Sequence, residues 1–521
     1  LAERVLAAAK ASRTFEQNKQ EGWRDSLTGE SECLTTDREQ LKLPPGQRSD
    51  TLWTRIAATK PAWAKKGEHL GALSAIKRLW PTIFMDEVAG VTGKDMARFV
   101  VSTHTMALAH QLDQWLTNGG QSADGLDLDN AERVALPRKL MRHKNKEALD
   151  VAARLPGLLE AARDSEDDRI YEEARRQVRK TLAMGADKGE EIRLETYYSL
   201  IMMDGDRMGA ILSGDEATNT AISYRDSFHP QVQNGFDGHA AKQPMIRAYG
   251  QQKRPVSPNR HLAISGALND FSQTVVRHVV EQEHLGRLIY AGGDDVLAMV
   301  PVADLLSTMQ RLRHAYSGTV PADEAVDWGE LRGRKKLVCK GGFAWLDGKL
   351  MRMMGKHATA SCGAVIAHHQ APLGAVMREL RAAEKRAKNE GGRDAFAITV
   401  IKRSGGALLL TEKWGEPVSL LNDLMGFLRQ EGVSRRAVYN SLEWLHDLPD
   451  PKGNPDMLAS LLAYQLARQA NEKSLKDQVP ELARRLAALA ASQSKDGLKW
   501  LANFISVAEF LARETRTGGE A

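Results

Sequence analysis

The chain reads as an α+β fold, a ferredoxin-like antiparallel sheet of the split βαβ kind flanked by helical modules, and three observations predict it. An apolar run, YYSLIMMDGDRMG at residues 197–209, stops on Asp204, Gly205 and Asp206. A second, YAGGDDVLAMVP at 290–301, turns back through Gly292 and Gly293 onto two adjacent carboxylates, Asp294 and Asp295. Between them, residues 261–282 place Leu262, Leu268, Phe271, Val275, Val276 and Val279 at helical spacing.

The first run is the first strand. Residues 288–290 and 296–300 form a hairpin of a buried strand and its return, because the glycines permit the backbone angles a tight reversal needs. Downstream, 305–315 is an amphipathic helix, 359–369 (TASCGAVIAHH) a strand, 373–389 a third helix and 395–402 a last strand. The order is β, α, ββ, α, β, α, β. In a split βαβ sheet the end of the first strand and the hairpin turn share an edge, so Asp204, Asp294 and Asp295 converge. Three carboxylates at one point repel unless a divalent cation neutralises them. Hard oxygen donors suit Mg2+ or Mn2+, which keep waters and bind substrate phosphates, and a triphosphate is the natural partner. A Gly-Gly-Asp turn by itself often only reverses the chain; the second acidic strand end is what argues for a site. On the third helix, AEKRAKNEGGRDAF puts Lys385 and Lys388 three apart on one face, where they meet phosphates or simply cap a solvated helix end.

Taken together, the DGD strand end, the GGDD hairpin and the AEKRAK helix resemble the palm domain shared by nucleotide cyclases and the large, polymerase-like subunit of type III CRISPR effector complexes. The segments KKGEHLGALSAIKRLWP (65–81), NRHLAISGALNDF (259–271) and TASCGAVIAHHQAPL with AITVIKRSGG narrow the resemblance to the type III-B (Cmr) branch, over residues 12–406 with gaps. The resemblance implies target-RNA-stimulated joining of ATP into cyclic oligoadenylate, a second messenger in antiviral defence. It implies Asp204, Asp294 and Asp295 as metal ligands, joined by the Gly205 carbonyl. Gly292 and Gly293 would let the backbone approach the nucleotide, with Asp206, Lys385 and Lys388 also at the nucleotide. The 3′-hydroxyl of one ATP would attack the α-phosphate of another, its pKa lowered by metal and its proton left to solvent. Other Cmr-type subunits, guide RNA and target RNA are the implied partners. Two further readings stand beside this one: a free-standing diguanylate-type cyclase, and a scaffold whose acidic turns no longer catalyse.

Larger family members begin with an HD-type nuclease-like domain and a first palm, whereas this sequence opens on LAERVLAAAK, so both regions are expected to be missing and activity to be reduced. His446-Asp447 lacks companion histidines and reads as a helix end. His104, His110 and Asp113 are poorly matched to one helix face, since six residues turn about 240° past a full turn, and read as packing. The family often carries a cysteine-rich finger near residues 26–36, but Cys33, Cys339 and Cys362 form no CxxC pair, so bound zinc is not expected and the segment reads as a turn.

Three scattered cysteines and no secretory signal or spanning apolar run predict a cytoplasmic protein without a membrane partner. Net charge is +5, from 72 basic and 67 acidic residues, which neither demands nor excludes nucleic acid. Basic clusters at 138–146, 329–340 and 351–357 are candidates for RNA phosphates, or a solubilising surface. Three domains are expected: a helical module over 1–193, the palm over 194–406 with an insertion at 213–258 too long for an ordinary connection, and a helical domain over 407–521 with a core of Trp444, Leu458, Leu461, Leu462, Leu466 and Trp500.

Overall fold

In the computed structural model all residues are described except 1, 13–21, 35–37, 45–46, 61–62, 93–99, 121–127, 129–130, 165–166, 184–191, 216–220, 255, 321–335, 435, 446 and 516–521. Nine strands are described: β1 (Tyr197–Gly205), β2 (Arg287–Gly292), β3 (Asp295–Pro301), β4 (Val338–Lys340), β5 (Phe343–Leu346), β6 (Lys349–Arg352), β7 (Ala360–His368), β8 (Ala395–Ile401) and β9 (Ala407–Lys413). Six of them form one sheet in the order β2-β3-β1-β7-β8-β9, and β4-β5-β6 form a small second sheet. The expected split βαβ core is present. β1 lies antiparallel between β3 and β7, with Met203 opposite Val296 and Asp204 opposite Ser361. The strand alternation then decides which layer each side chain of β1 meets. Tyr198, Leu200 and Met202 face Met106, Val376 and Leu380, on the helices Thr103–Thr117 and Leu373–Asn389. Ile201 and Met203 face Phe271, Val275 and Met309 on the other side.

That second layer contains the helix predicted between the two acidic strand ends. It runs from Pro258 to Glu283, with wide π-type turns at Phe271–Val275 and Val279–Glu283. The widened turns present the adjacent pairs Val275/Val276 and Val279/Val280 to the core together, all fully buried. Leu262, counted with this stripe, is instead 70% exposed, because the core contact begins only at Ala267.

Several expected boundaries shift. β2 is an edge strand rather than a buried one: Ile289 and Tyr290 are each more than half exposed, and a bulge separates Leu288 from Tyr290. β9 pairs with β8 and extends the sheet past residue 406, and the helices that follow pack on it, so that Leu410, Phe427, Leu462 and Phe504 share one continuous core with the palm strands. Leu458, Leu462 and Leu466 are buried as expected, with Trp444 and Trp500 packed at the margin.

The 1–193 module is likewise divided. The chain forms two compact units, Leu1–Arg98 and Phe99–Ala521, and the helices Thr103–Thr117, Lys146–Asp164 and Asp168–Ala183 belong with the sheet. Within the first unit, Trp53, Ala64, Leu70 and Ala75 form a small core, while Leu73 and Ile76 point outward. The segment compared with a zinc finger is a short hairpin, with Arg24 bridged to Glu32 and Cys33 to Gly71. The Asp25 carboxylate accepts the Leu27, Thr28 and Gly71 N–H groups, which ties the hairpin to the strand-like stretch after His69. Among the described residues no helix is long and apolar enough to cross a membrane.

Candidate functional site

Two chain segments ninety residues apart build the site. β1 runs out between β3 and β7, and the Gly292 to Asp295 closing pair of the hairpin sits at the same end of the sheet. Gly293, at φ +64°, makes the reversal in a conformation that disfavours any side chain. One carboxylate oxygen from each of Asp204, Asp294 and Asp295 lies within 4.8 Å of the other two. The convergence inferred from the sequence is therefore present in the fold.

Gly205 makes the close approach possible. Its N–H donates to the Asp294 carboxylate. A Cβ built at this position would lie 2.4 Å from the Tyr316 hydroxyl, 2.8 Å from Asp294 Oδ2 and 2.9 Å from Asp294 Cβ. Tyr316 itself is fully buried beneath the site, and its hydroxyl donates to Met208 Sδ at 3.3 Å. Gly205→Ala is therefore expected to push the Asp294 turn away from Asp204. The overpacking cost is about 1–3 kcal/mol, read as a lowered melting temperature, and any activity that needs the three carboxylates together falls by roughly a hundredfold. Relieving Tyr316 alone, with Tyr316→Phe in the Gly205→Ala background, is expected not to restore it, because the clash with Asp294 Cβ remains.

From the other face, the helix Leu373–Asn389 reaches the site because Gly363 on β7 lets it approach closely: a Cβ there would lie 2.3 Å from the Glu384 nitrogen. That approach sets Glu384 and Lys388, one turn apart, over the strand end. The Lys388 ammonium rests on Asp204 and, at 2.5 Å, on Glu384. Lys385 is exposed on the same helix. Glu384, only 9% exposed, is a fourth acid at the site that sequence reasoning misses by treating the segment as a basic helix end. Its neighbouring lysines in AEKRAK hide it.

Burial raises the Asp294 carboxyl above the ordinary carboxylate range, and the neighbouring charge of Asp295 adds to this, against N–H bonds from its own backbone and from Gly205. Asp295 is also raised by burial, and Glu384 by burial and by the charge of Asp295. Burial thus disfavours the charged form of these acids, and Lys388 is the cation that meets Asp204 and Glu384. Three hard oxygen donors at this spacing fit a divalent cation, and the lysine against Asp204 shows the same preference for a cation at that position.

Asp206, expected at the nucleotide, is turned into the fold instead. It is 3% exposed, and its carboxylate accepts from Thr359 Oγ1 (2.7 Å), Ser361 Oγ (2.7 Å) and the Asp394 N–H (2.8 Å). These bonds tie the end of β1 to the start of β7 and to the residue before β8. The histidines of the Thr103–Thr117 helix are packing groups as expected: His104 stacks on His369 at 4.3 Å, and His110 Nδ1 lies 2.7 Å from Glu195. His446 lies outside the described residues, as does most of the 329–340 basic cluster. In the 138–146 cluster, Arg138 pairs with Glu281 at 3.2 Å and Lys139 bonds the Glu283 carbonyl at 3.0 Å, so these cations serve the fold.

Residues 197–332 and 340–397 match the family described as Cas10/Cmr2, second palm domain. A CRISPR system Cmr subunit Cmr2 of Pyrococcus furiosus is 31% identical over 258 residues, covering 49% of this chain and 24% of that protein. The corresponding Cmr2 of Saccharolobus solfataricus is 33% identical over 121 residues, covering 23% of this chain and 10% of that protein. The matched region thus spans a quarter or less of these curated relatives. Among solved structures, the type III-B Cmr-beta complex in its apo state contains a chain with TM-score 0.63 at 14% identity, covering 98% of this chain and 60% of that one. The same complex bound to cognate target RNA gives TM-score 0.59 at 15% identity over 91% of this chain and 57% of the other, a likeness of fold. The sheet order, the acidic hairpin and these matches together identify residues 197–397 as similar to the second palm domain of Cas10/Cmr2.

Proposed function

We propose that this chain is the nucleotidyl-transferring part of the large subunit of a type III-B CRISPR complex, and that it joins ATP into cyclic oligoadenylate when guide and target RNA are in place. The observation that carries this reading is the meeting of Asp204, Asp294 and Asp295 at the open end of a palm-type sheet, with carboxylate oxygens within 4.8 Å. Asp204, Asp294 and Asp295 would hold Mg2+ or Mn2+, with the Gly205 carbonyl beside them. Such ions lower the pKa of an attacking hydroxyl and stabilise the leaving pyrophosphate.

The protein's own groups do the rest. Gly293 leaves the apex of the turn open, with no atom within 4 Å of where a side chain would begin, so the triphosphate can approach the backbone there, while the Tyr290 ring lies over Gly292. Lys388 exchanges its carboxylate partners for phosphate oxygens as the nucleotide arrives, with Lys385 one step out on the same helix. Glu384 holds Lys388 aimed at the strand end in the meantime. The proton of the 3′-hydroxyl leaves to solvent.

Labelled ATP and GTP, incubated with the assembled complex plus guide and target RNA, test the reading. Conversion of ATP that needs a divalent ion and rises with target RNA is the expected result. Consumption of GTP instead would identify a diguanylate-type cyclase, and no turnover of either would leave a scaffold.

A further inference from the structure

The insertion between β1 and the helix Pro258–Asp270 has structure of its own. The described part contains two helices, Pro230–Lys242 and Pro244–Gln251, packed as a hairpin, with Ser223 bridged to Lys253 at its base. Over residues 221–261 the sequence holds six lysines and arginines (Arg225, Lys242, Arg247, Lys253, Arg254, Arg260) against two carboxylates, a surplus of four in a chain whose whole surplus is five. Both carboxylates are engaged within the hairpin. Arg225 reaches Asp237 through Nε at 2.7 Å and Nη2 at 2.5 Å, and Asp226 through Nη1 at 3.1 Å. Lys242, Arg247, Lys253 and Arg254 are exposed. Where Arg247 and Lys253 touch the fold, they do so through the backbone carbonyls of Ala240, Ala241 and Ala221.

The same hairpin carries an open apolar groove lined by Phe236, His239, Met245, Ile246 and Tyr249. Met245 is 85% exposed and Tyr249 47% exposed. The Tyr249 ring is held in a fixed plane by stacking on Tyr224, with centroids 4.6 Å apart and planes 25° from parallel. An oriented aromatic face beside apolar side chains, on a small hairpin that also exposes four lysines and arginines, is a combination that suits single-stranded nucleic acid. Bases stack on the ring and the phosphate backbone follows the cations. A protein segment seated in the groove would have no use for the four exposed cations of the hairpin unless it were itself strongly acidic.

We propose that the helical hairpin over residues 230–251, with Lys253 and Arg254, is a binding surface for single-stranded RNA, independent of sequence. Lys242, Arg247, Lys253 and Arg254 hold phosphates, and Tyr249, with Met245 and Phe236 beside it, receives a base. The choice of RNA rests on the proposed function, whereas the surface itself does not depend on nucleotide turnover.

The test uses the full chain and a fluorescently labelled oligouridine of about twenty nucleotides, with a duplex RNA of the same length as control, followed by anisotropy across a salt series. Charge reversal at four positions (Lys242→Glu, Arg247→Glu, Lys253→Glu, Arg254→Glu) is expected to weaken oligouridine binding by at least about tenfold. It should also make the salt dependence shallower by roughly 3 in log–log slope, at about 0.7 for each phosphate that is no longer neutralised. Tyr249→Ala is expected to weaken binding by about tenfold with the slope unchanged, and Tyr249→Phe to restore it. Melting temperatures of all variants report whether the hairpin is intact, and only variants that melt with the parent are compared.

Unchanged affinity and slope in the charge-reversed chain would overturn the proposal, as would duplex binding as tight as single-strand binding. A reversed chain that binds RNA normally but fails to assemble with other subunits would make the surface a protein interface instead. The Asp294→Asn/Asp295→Asn chain separates this idea from the palm reading. It is expected to bind oligouridine like the parent while losing ATP conversion, so ATP conversion retained by this chain counts against the palm alone, and unchanged oligouridine binding by the charge-reversed chain counts against the hairpin alone.

Discussion

Asp294→Asn with Asp295→Asn is expected to abolish divalent-ion-dependent ATP conversion, by at least roughly a hundred- to thousandfold, while leaving the fold and its RNA-binding surface in place. The substitution keeps volume and removes two negative charges, leaving Asp204 as the single anionic member of the cluster. Metal-free stability gives an independent readout with a definite sign. Burial raises both carboxyls above the ordinary value of 3.8. Between that value and the raised one, the native state binds more protons than the unfolded chain, so stability falls as pH rises through the window, and the full penalty is present above it. The Asn pair removes that penalty. At neutral pH and without metal the double variant is therefore expected to melt no lower than the parent, and the difference should shrink as pH falls through that window and be gone below 3.8. Adding Mg2+ or Mn2+ should raise the melting temperature of the parent and not of the variant, because only the parent's native state binds the ion. Retained synthesis by the variant would put the chemistry elsewhere in the complex. A parent chain whose melting is indifferent to the ion would remove the metal site itself.

The parts of this arrangement visible in the sequence are those where one strong local pattern coincides with the tertiary role. The bounds of the helix Leu373–Asn389 are legible because Val376, Leu380, Ala383 and Ala387 form an uninterrupted buried stripe. β7 is apolar over Cys362–Ala367 because it is covered on both faces, and all nine of its residues are buried. Asp204, Asp294 and Asp295 stand out because strand ends and tight turns are where the chain exposes acids to ligands. Other features depend on partners far away in sequence. Asp206 resembles Asp204 in every local respect, yet its bonds come from Thr359 and Ser361, some 150 positions downstream, and these make it a structural group. β4, β5 and β6 are three or four residues long, too short for any periodicity to show. β9 is half exposed and reads locally as the start of the next module, although its pairing with β8 is complete from Ala395 to Ile401. The helix Thr103–Thr117 has a clear helical pattern, but nothing in its own sequence says that Met106 and Ala109 pack on the sheet.

Asp206→Ala is expected to be the most destabilising single change near the site. Three donors meet at this carboxylate, two hydroxyls and one backbone N–H, in a place 3% exposed to solvent. Bonds to a charged acceptor are worth about 1.5–3 kcal/mol each, and removing the acceptor strands the Asp394 N–H and the Ser361 hydroxyl without water. Backbone strain offsets part of this loss and turns the rest into movement. Gly392, Arg393 and Asp394 follow one another with φ of +66°, +64° and +44°, a run that Asp206 pins from one side and the Lys413 ammonium, bonded to the Gly392 and Arg393 carbonyls, from the other. Two non-glycine residues in that region cost about 1–3 kcal/mol each, and they persist because the surroundings hold them there. Without Asp206 the loop is free to relax, and with it the last turn of the helix that carries Lys388. The expected loss is about 4 kcal/mol, read as a drop of roughly 10 °C in melting temperature. Asp206→Asn should lose less, since an amide oxygen in the Oδ2 place still accepts from Thr359 and the Asp394 N–H, and the Ser361 hydroxyl can turn to accept from its NH2. The activity of Asp206→Asn, measured at a temperature where the chain is folded, then distinguishes the two roles open to this residue. Activity within about tenfold of the parent fits a positioning carboxylate, whereas loss as deep as that of the Asp294→Asn/Asp295→Asn chain would mean that Asp206 turns outward to the nucleotide during the reaction.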